Sequence, residues 1–203
     1  MSRLAGLPRR QAGVVGSRSL PASFAPLVSR IVSLLLSRGY SIASGGAVGA
    51  DSFALEAVIQ QGASSRGVIH SAWVSSSGFP SSVQPQVSRF LSSGGQVVWG
   101  SCPVGAQRQE AVSALLGRNR RLVSASSVIV AFLHGSSRGS LYTVRQAVEQ
   151  ACPPESAGRR RGVPVIVFLC GGGASLPADL ASRCCVVTDL PAEASAEAGK
   201  EVV

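Results

Sequence analysis

The amino-acid sequence predicts an α/β fold, a three-layer α/β/α domain built on a mainly parallel sheet. Short apolar runs alternate along the chain with longer segments of helical period, which is the order of strands and helices in such folds. The apolar runs are continuous rather than alternating, and this indicates strands that are buried on both faces. Apolar residues make up 45% of the 203 residues and charged residues only 14%, so the chain can bury a sizeable core.

The predicted elements follow one another in a regular order. The apolar runs predict strands at residues 12–17, 40–44, 67–72, 96–100, 127–133 and 163–170. The periodic segments predict helices at 23–39, 51–61, 82–92, 105–123 and 140–151. Ser23 is placed to cap the first helix, and Gly39 and Gly62 are placed to end the first and the second.

The composition of the chain predicts its division into segments and the chemical class of its partner. One domain is predicted over residues 12–188, after an N-terminal extension at 1–11 and before a flexible acidic tail at 189–203. The net charge is +9 and the tail holds four of the ten acidic residues, so the domain itself is more basic than the total. Lys200 is the single lysine, and arginine, which carries the remaining positive charge, binds phosphate through paired hydrogen bonds. Nucleic acid or nucleotides are therefore the favoured partners.

Several classes of protein are not expected. The five cysteines form no Cys-x-x-Cys pair and both histidines lie far from them, so neither a metal site nor a disulfide framework is predicted. Reduced, mostly buried thiols are expected instead. The longest apolar run, at 31–36, is too short for a membrane span, and the basic N-terminus lacks the apolar run of a secretory signal. We therefore predict a cytoplasmic protein with no cofactor and no membrane partner.

Ligands of parallel sheets bind beyond the carboxyl ends of the strands, which makes three loops candidates for a site. The first loop follows residues 12–17, and Arg18 in it is either a ligand contact at the edge of the sheet or an ordinary solvated arginine. The third loop, at 135–150, follows the most apolar strand and precedes a helix. Its hydroxyl donors are Ser136, Ser137, Ser140 and Thr143.

The second loop, at 44–51, is rich in glycine. Gly45, Gly46 and Gly49 permit positive φ and a close approach of backbone N–H groups to an anion at the start of the next helix. Ser44 would add a hydroxyl donor. Asp51 would repel a phosphate, so its expected role is to cap the helix or to hold the loop amides. The pattern matches neither the mononucleotide nor the usual dinucleotide fingerprint.

The sequence GRNRR at 117–121 ends the fourth predicted helix. A helix continued through it would place Asn119 in the apolar row, where its amide must find partners. Either Gly117 breaks the helix and Asn119 serves the site, or Asn119 is a satisfied polar group of the core. The arginines at 159–161 are predicted to form a basic surface loop.

These motifs, in this order, resemble the Rossmann-like core of the DNA-processing protein DprA (Smf) family, within a wider group that includes the LONELY GUY phosphoribohydrolases. The resemblance spans about residues 12–170. Its motifs are GSR at 16–18, SGGAVGADSFAL at 44–55, RNR at 118–120 and SSRGSLYTVRQA at 136–147. It implies a Rossmann-like fold and a basic pocket that holds the phosphates of single-stranded DNA.

Carried over motif by motif, the resemblance implies a phosphate- and nucleic-acid-binding set with no catalytic or metal-binding member. Asp51 takes the place of the family's loop aspartate. The set consists of Gly16, Ser17, Arg18, Ser44, Gly45, Gly46, Gly49, Asp51, Arg118, Asn119, Arg120, Gly139 and Ser140.

The chain also departs from the family pattern. The Phe-Pro pair expected before RNR is replaced by SALLG at 113–117, and Arg138 interrupts the expected SGSL. The phosphoribohydrolase branch carries a catalytic glutamate in the fourth motif, and Arg145 stands in its place here. This departure argues against nucleotide hydrolysis and against an enzyme.

Three functions stay open at this point. The first is a protein that grips single-stranded DNA, for which Trp73, Phe79 and Trp99 are the aromatic residues near strand ends that could stack bases. The second is a sensor of a free nucleotide or an N-glycosidic hydrolase. The third is a partner-binding subunit that does not use the pocket. Members of the family commonly pair edge to edge, so a homodimer is a further expectation from the resemblance.

Overall fold

The computed structural model describes residues 10–149 and 163–188, and their centre is a seven-stranded sheet in which all neighbouring strands are parallel. The strands cross the sheet in the order β4-β3-β2-β1-β5-β6-β7. They are β1 (Gln11–Gly16), β2 (Ser41–Ser44), β3 (Gly67–His70), β4 (Gln96–Val98), β5 (Val128–Leu133), β6 (Val165–Leu169) and β7 (Cys185–Val187). The predicted parallel sheet is confirmed.

The α-helices of the described residues cover both faces of this sheet. They are α1 (Ala25–Ser37), α2 (Ala50–Gln60), α3 (Gln84–Ser92), α4 (Arg108–Ala125), α5 (Arg138–Glu149) and α6 (Ala178–Ala181). Helices α1, α2 and α3 share one apolar core, which includes the fully buried Val28 and Phe90. Helices α4, α5 and α6 share the other, which includes Leu122 and Val144. The two cores lie on opposite faces, so the three-layer architecture is confirmed.

The ends of the first two helices were partly predictable. Gly39 and Gly62 follow α1 and α2 with φ of 81° and 61°, the left-handed conformation expected of a glycine after a helix. The prediction that Ser23 caps α1 is wrong, because Ser23 lies within a short 3-10 turn at Ala22–Phe24 and α1 begins only at Ala25. Pro26 lacks an N–H and has a fixed φ that suits the first turn, which explains this later start.

Two elements of the structure were not predicted from the sequence. Helix α6 has four residues, too few to show a helical period. Strand β7 has three residues, as does β4, but only β4 was predicted. The alternative in which Gly117 breaks a helix is also wrong, since α4 runs without interruption from Arg108 to Ala125.

The order of the strands determines where a ligand can bind. Strand β1 lies between β2 and β5, so the chain leaves β1 toward one side of the sheet and later returns on its other side at β5. The loops after β1 and β5 therefore diverge and leave a crevice beyond the carboxyl ends of these two strands. Two of the three candidate loops border this crevice directly, and the third follows β2, next to β1.

Some predictions concern residues outside the described part of the chain. The acidic tail at 189–203, the arginines at 159–161 and most of the N-terminal extension lie there, so the proposed division into segments stays a prediction. Of the helices within residues 10–149 and 163–188, none is long and apolar enough to cross a membrane. Cys102 and Cys170 are buried free thiols as expected, whereas Cys185 is exposed.

Candidate functional site at the carboxyl edge of the sheet

A cavity of about 650 Å³ lies over the carboxyl ends of β1 and β5. The loop after β1, the loop after β2, helix α4 and the first turn of α5 enclose it. The predicted site residues that line it are Gly16, Arg18, Asp51, Arg118, Asn119, Gly139 and Ser140. The fold thus brings residues from all four sequence motifs to one cavity.

The start of α5 forms the polar end of the cavity. The first N–H groups of a helix have no acceptor within the helix and carry partial positive charge, so they favour an anion. Ser136, Ser137 and Ser140 lie at this end, and the Ser137 hydroxyl donates to the Ser140 hydroxyl at 2.7 Å. Thr143 donates to the carbonyl oxygen of Gly139 within the helix. The third loop therefore places serine hydroxyls and the start of a helix at the cavity, and anion binding there stays a prediction.

Two predicted hydroxyl donors are occupied by the protein itself. Ser17 is fully buried, and its hydroxyl donates to the carbonyl oxygen of His134 and accepts from the backbone N–H of His134, both at 2.8 Å. These bonds join the loop after β1 to the loop after β5. The buried Ser44 hydroxyl lies 3.4 Å from the Asp51 carbonyl oxygen, to which it donates. Both serines hold the loops in place, and neither lines the cavity.

A buried ion pair lies beneath the second loop. The Arg118 Nη1 and the Asp51 Oδ2 are 3.4 Å apart, and both side chains are more than nine-tenths buried. The same Asp51 oxygen accepts the backbone N–H of Ala47 at 3.3 Å, so Asp51 holds a loop amide, as one of the two predicted roles requires. Burial raises the pKa of the Asp51 carboxyl, and the attraction of Arg118 opposes that rise. Burial likewise lowers the pKa of the Arg118 guanidinium.

The three glycines of the second loop occupy their positions for different structural reasons. Gly46 and Gly49 have φ of 68° and 78°, as predicted, whereas Gly45 does not adopt a positive φ. A Cβ atom on Gly45 would lie 1.1 Å from the Arg118 Nη1, so this glycine makes room for the guanidinium. A Cβ atom on Gly49 would lie 2.3 Å from the carbonyl oxygen of Ser17, so this glycine lets α2 start directly beneath the first loop.

The remaining predicted residues differ in their exposure. Arg18 is exposed and borders both this cavity and a second one of about 240 Å³. Asn119 is half-buried and lines the cavity, so it is not a polar group of the core. It does so on an unbroken α4, so the other alternative, in which Gly117 breaks the helix, does not hold either. Arg120 is exposed and lines neither cavity, so its role in binding stays a prediction.

The sequence did not identify the apolar wall of the site. Val112, Leu115 and Leu116 of α4 form an apolar wall of the first cavity, within and just before the segment that replaces the expected Phe-Pro pair. Trp73 and Phe79, which the sequence named as residues that could stack bases, line the second cavity, and their contact with bases stays a prediction. The helical spacing of the α4 residues is visible in the sequence, but apolar residues that pack on the protein core show the same spacing. The spacing alone therefore does not predict a cavity wall.

The carboxylates of Asp51 and Asp179 are each paired with an arginine. Arg145, which stands at the position discussed above for a catalytic glutamate, forms an ion pair with Asp179 at 2.9 Å. Within residues 10–149 and 163–188, no three His, Cys, Asp or Glu side chains are grouped closely enough to hold a metal ion. Asp51 is the carboxylate of the cavity lining, and it is paired with Arg118.

A buried histidine lies close to the site without hydrogen bonds. His70, at the carboxyl end of β3, is 4% exposed, and neither ring nitrogen has a partner among the described residues. Burial, together with the nearby positive charges of Arg121 and Arg118, lowers its pKa from 6.5 to about 4. The imidazole is therefore neutral in the folded protein at neutral pH.

This pKa predicts a loss of stability in acid. Below pH 6.5 the unfolded chain takes up a proton at His70, but the folded protein does so only near pH 4, so the free energy of unfolding falls between these values. The fall amounts to about 3 kcal/mol. We expect His70→Phe to remove this contribution, so that the free energy of unfolding falls less between pH 7 and pH 4.5 than in the wild-type protein. Urea unfolding at the two pH values measures the difference. Parallel pH profiles of the two proteins would contradict the assignment.

The fold and the cavity together define a Rossmann-like α/β domain with a candidate ligand site at the switch point of its parallel sheet. The family model described as DNA recombination-mediator protein A matches residues 3–153. The chain belongs to this family.

Two solved structures have a similar fold. One is DNA processing protein A from Helicobacter pylori, described by its single-stranded DNA binding mode, with 18% identity and a TM-score of 0.58 over 80% of this chain. The other is DNA processing protein A (DprA) from Streptococcus pneumoniae, with 19% identity and a TM-score of 0.61 over 88% of this chain. This chain covers 66% and 58% of those two chains, respectively. Comparison with curated protein sequences gives no match.

Proposed function

We propose that this protein binds single-stranded DNA by gripping its phosphates at the carboxyl edge of the sheet. The observation that carries the proposal is the convergence of an exposed arginine, Arg18, and the start of α5 on one cavity. Family membership supports it, and the Helicobacter pylori relative is described as binding single-stranded DNA. A net charge of +9 favours association with a polyanion.

Charged side chains and the start of α5 contribute differently to phosphate binding. Arg118 is neutralised by Asp51 at 3.4 Å, so the positive charge free to meet a phosphate is that of Arg18 and Arg138. The N–H groups and serine hydroxyls at the start of α5 add hydrogen bonds to phosphate oxygens. These contacts do not depend on the base, so the binding should be tolerant of sequence and sensitive to salt.

We infer that the site holds its ligand without cleaving it. A hydrolytic mechanism at the N-glycosidic bond needs a carboxylate that is free to act on the substrate. Asp51 is buried against Arg118, and Arg145 at the glutamate position is paired with Asp179. Neither offers such a group to the cavity.

A free nucleotide is the second candidate ligand. The cavity of about 650 Å³ falls in the range of small-ligand sites, and its walls combine donors with apolar side chains. A nucleotide sensor should be stabilised against heat by one mononucleotide at low concentration, whereas a strand-binding protein should not. A thermal-shift comparison of mononucleotides with oligonucleotides separates the two. The homodimer implied by the resemblance stays a prediction.

Arg18→Ala is expected to weaken oligonucleotide binding about tenfold and to lower the slope of log K against log salt by about one, since one phosphate contact is lost. Fluorescence anisotropy of a labelled strand at two salt concentrations measures both quantities. Arg38→Ala is the matched control, because Arg38 is also exposed but follows α1 at the opposite edge of the sheet. Equal weakening by both variants would contradict a localised site.

A further inference from the structure

Two arginines at the carboxyl edge of the sheet are free to meet a negatively charged group. Arg18, in the loop after β1, and Arg138, at the start of α5, are both exposed and line the first cavity. Neither forms an ion pair with a carboxylate of the described residues. The first N–H groups of α5 add partial positive charge at the same place. This edge therefore attracts any acidic segment that can reach it.

The acidic residues of the chain fall into two groups. Within residues 10–149 and 163–188, most carboxylates are engaged in ion pairs with arginine, namely those of Asp51, Glu56, Glu149 and Asp179. The other group lies in the acidic tail at 189–203, whose four acids stand at intervals of four beside a single basic residue, Lys200. They are Asp189, Glu193, Glu197 and Glu201. The tail is thus a negatively charged segment of the same chain.

The register of the sheet shows that the tail can reach the two arginines. Val187, the last residue of β7, pairs with Phe168 of β6. Phe168 pairs with Phe132 of β5, and Phe132 pairs with Gly16, which lines the cavity. This row crosses three strand spacings, about 14 Å, and the chain leaves β7 at the carboxyl edge because all neighbouring strands are parallel. An extended chain from Val187 to Glu193 spans about 20 Å, so the acids from Glu193 onward can reach the cavity.

We propose that the acidic tail binds at Arg18 and Arg138 in the absence of DNA and competes with the phosphates of a strand for these two guanidinium groups. Because the tail is joined to the domain, its effective concentration at this edge is of the order of millimolar, and even a weak contact lowers the apparent affinity for DNA. The inference rests on the proposed function, and it adds an acidic segment of the chain itself as a second ligand of the same edge.

Removing two charges from the tail tests this inference. Glu193→Gln/Glu197→Gln is expected to bind labelled oligothymidylate about fivefold more tightly than the wild-type protein at low salt, the scale of losing two exposed ion pairs. The gain should shrink as salt is added, because salt screens exposed charges. Fluorescence anisotropy measures both affinities. Glu56→Gln/Glu149→Gln is the matched control, since it removes two partly exposed carboxylates from the domain, and it should change the affinity little.

The same tail substitutions in an Arg18→Ala background separate a contact from a general effect of charge. The gain should fall to about twofold there, because one of the two arginines that hold the tail is missing. An undiminished gain in this background, or equal gains from the tail and control variants, would overturn the inference. Melting curves verify that all variants fold.

The outcomes also distinguish this inference from the proposed function. Equal affinity of the wild-type protein and Glu193→Gln/Glu197→Gln would overturn the inference alone, while weaker binding by Arg18→Ala would keep the proposed function. Absence of binding by both the wild-type protein and the tail variant at low salt would overturn both.

Discussion

Asp51→Asn is expected to destabilise the protein by roughly 3 to 5 kcal/mol, the cost of leaving a buried charge without its partner. Arg118 would keep its positive charge in a buried position next to a neutral amide, and its distance of 3.4 Å to the Asp51 oxygen shows how closely it depends on that carboxylate. The loop amide of Ala47 would also lose a charged acceptor. Urea unfolding monitored by circular dichroism measures the loss.

The double variant Asp51→Leu/Arg118→Met distinguishes a lost ion pair from a general disruption. Removing both charges leaves no unpaired ion in the interior, and apolar replacements of buried ion pairs are often neutral or stabilising. We therefore expect the double variant to be clearly more stable than Asp51→Asn. If it is less stable, the pair is not the main contribution of these two residues.

Gly49→Ala is expected to cost roughly 2 to 4 kcal/mol for two separate reasons. Its φ of 78° and ψ of −130° lie outside the regions that alanine readily adopts. A Cβ atom would also lie 2.3 Å from the carbonyl oxygen of Ser17, which belongs to the backbone and cannot move aside easily. Because α2 starts at this contact, the substitution should also weaken oligonucleotide binding in the folded fraction.

Gly62→Ala shows the cost of a positive φ without a steric contact. Gly62 has a φ of 61°, but a Cβ atom on it would have no neighbour within 4 Å. It should therefore show the backbone strain alone, about 1 kcal/mol. Thermal melting of the two variants under one condition gives the comparison, and equal losses would mean that the contact with Ser17 is unimportant.

The predictable part of the fold is the part that local patterns specify. Strands such as β5 are continuous apolar runs, helices such as α1 repeat their apolar residues every three or four positions, and both patterns can be found in a short window of sequence. The alternation of the two then gives the parallel sheet and the edge at which its loops meet. Length alone does not explain why β7 was not predicted, because β4 also has three residues and was predicted.

The site was predictable in position but not in the role of each residue. Arg18, Asp51 and Ser140, which come from three of the motifs, line one cavity, and their role in binding stays a prediction. Ser17, however, looks the same in the sequence whether its hydroxyl contacts a ligand or, as here, bonds to His134. The difference depends on a contact between residues 117 positions apart, which no local pattern encodes.

The contact between Gly45 and Arg118 has a consequence for the evolution of the chain. Any side chain at position 45 would occupy the space of the arginine at position 118, 1.1 Å from its Nη1. A lineage that loses the arginine is free to accept alanine or serine at position 45, and a lineage that keeps the arginine is not. Positions 45 and 118 should therefore vary together among homologues, with glycine and arginine inherited as a pair.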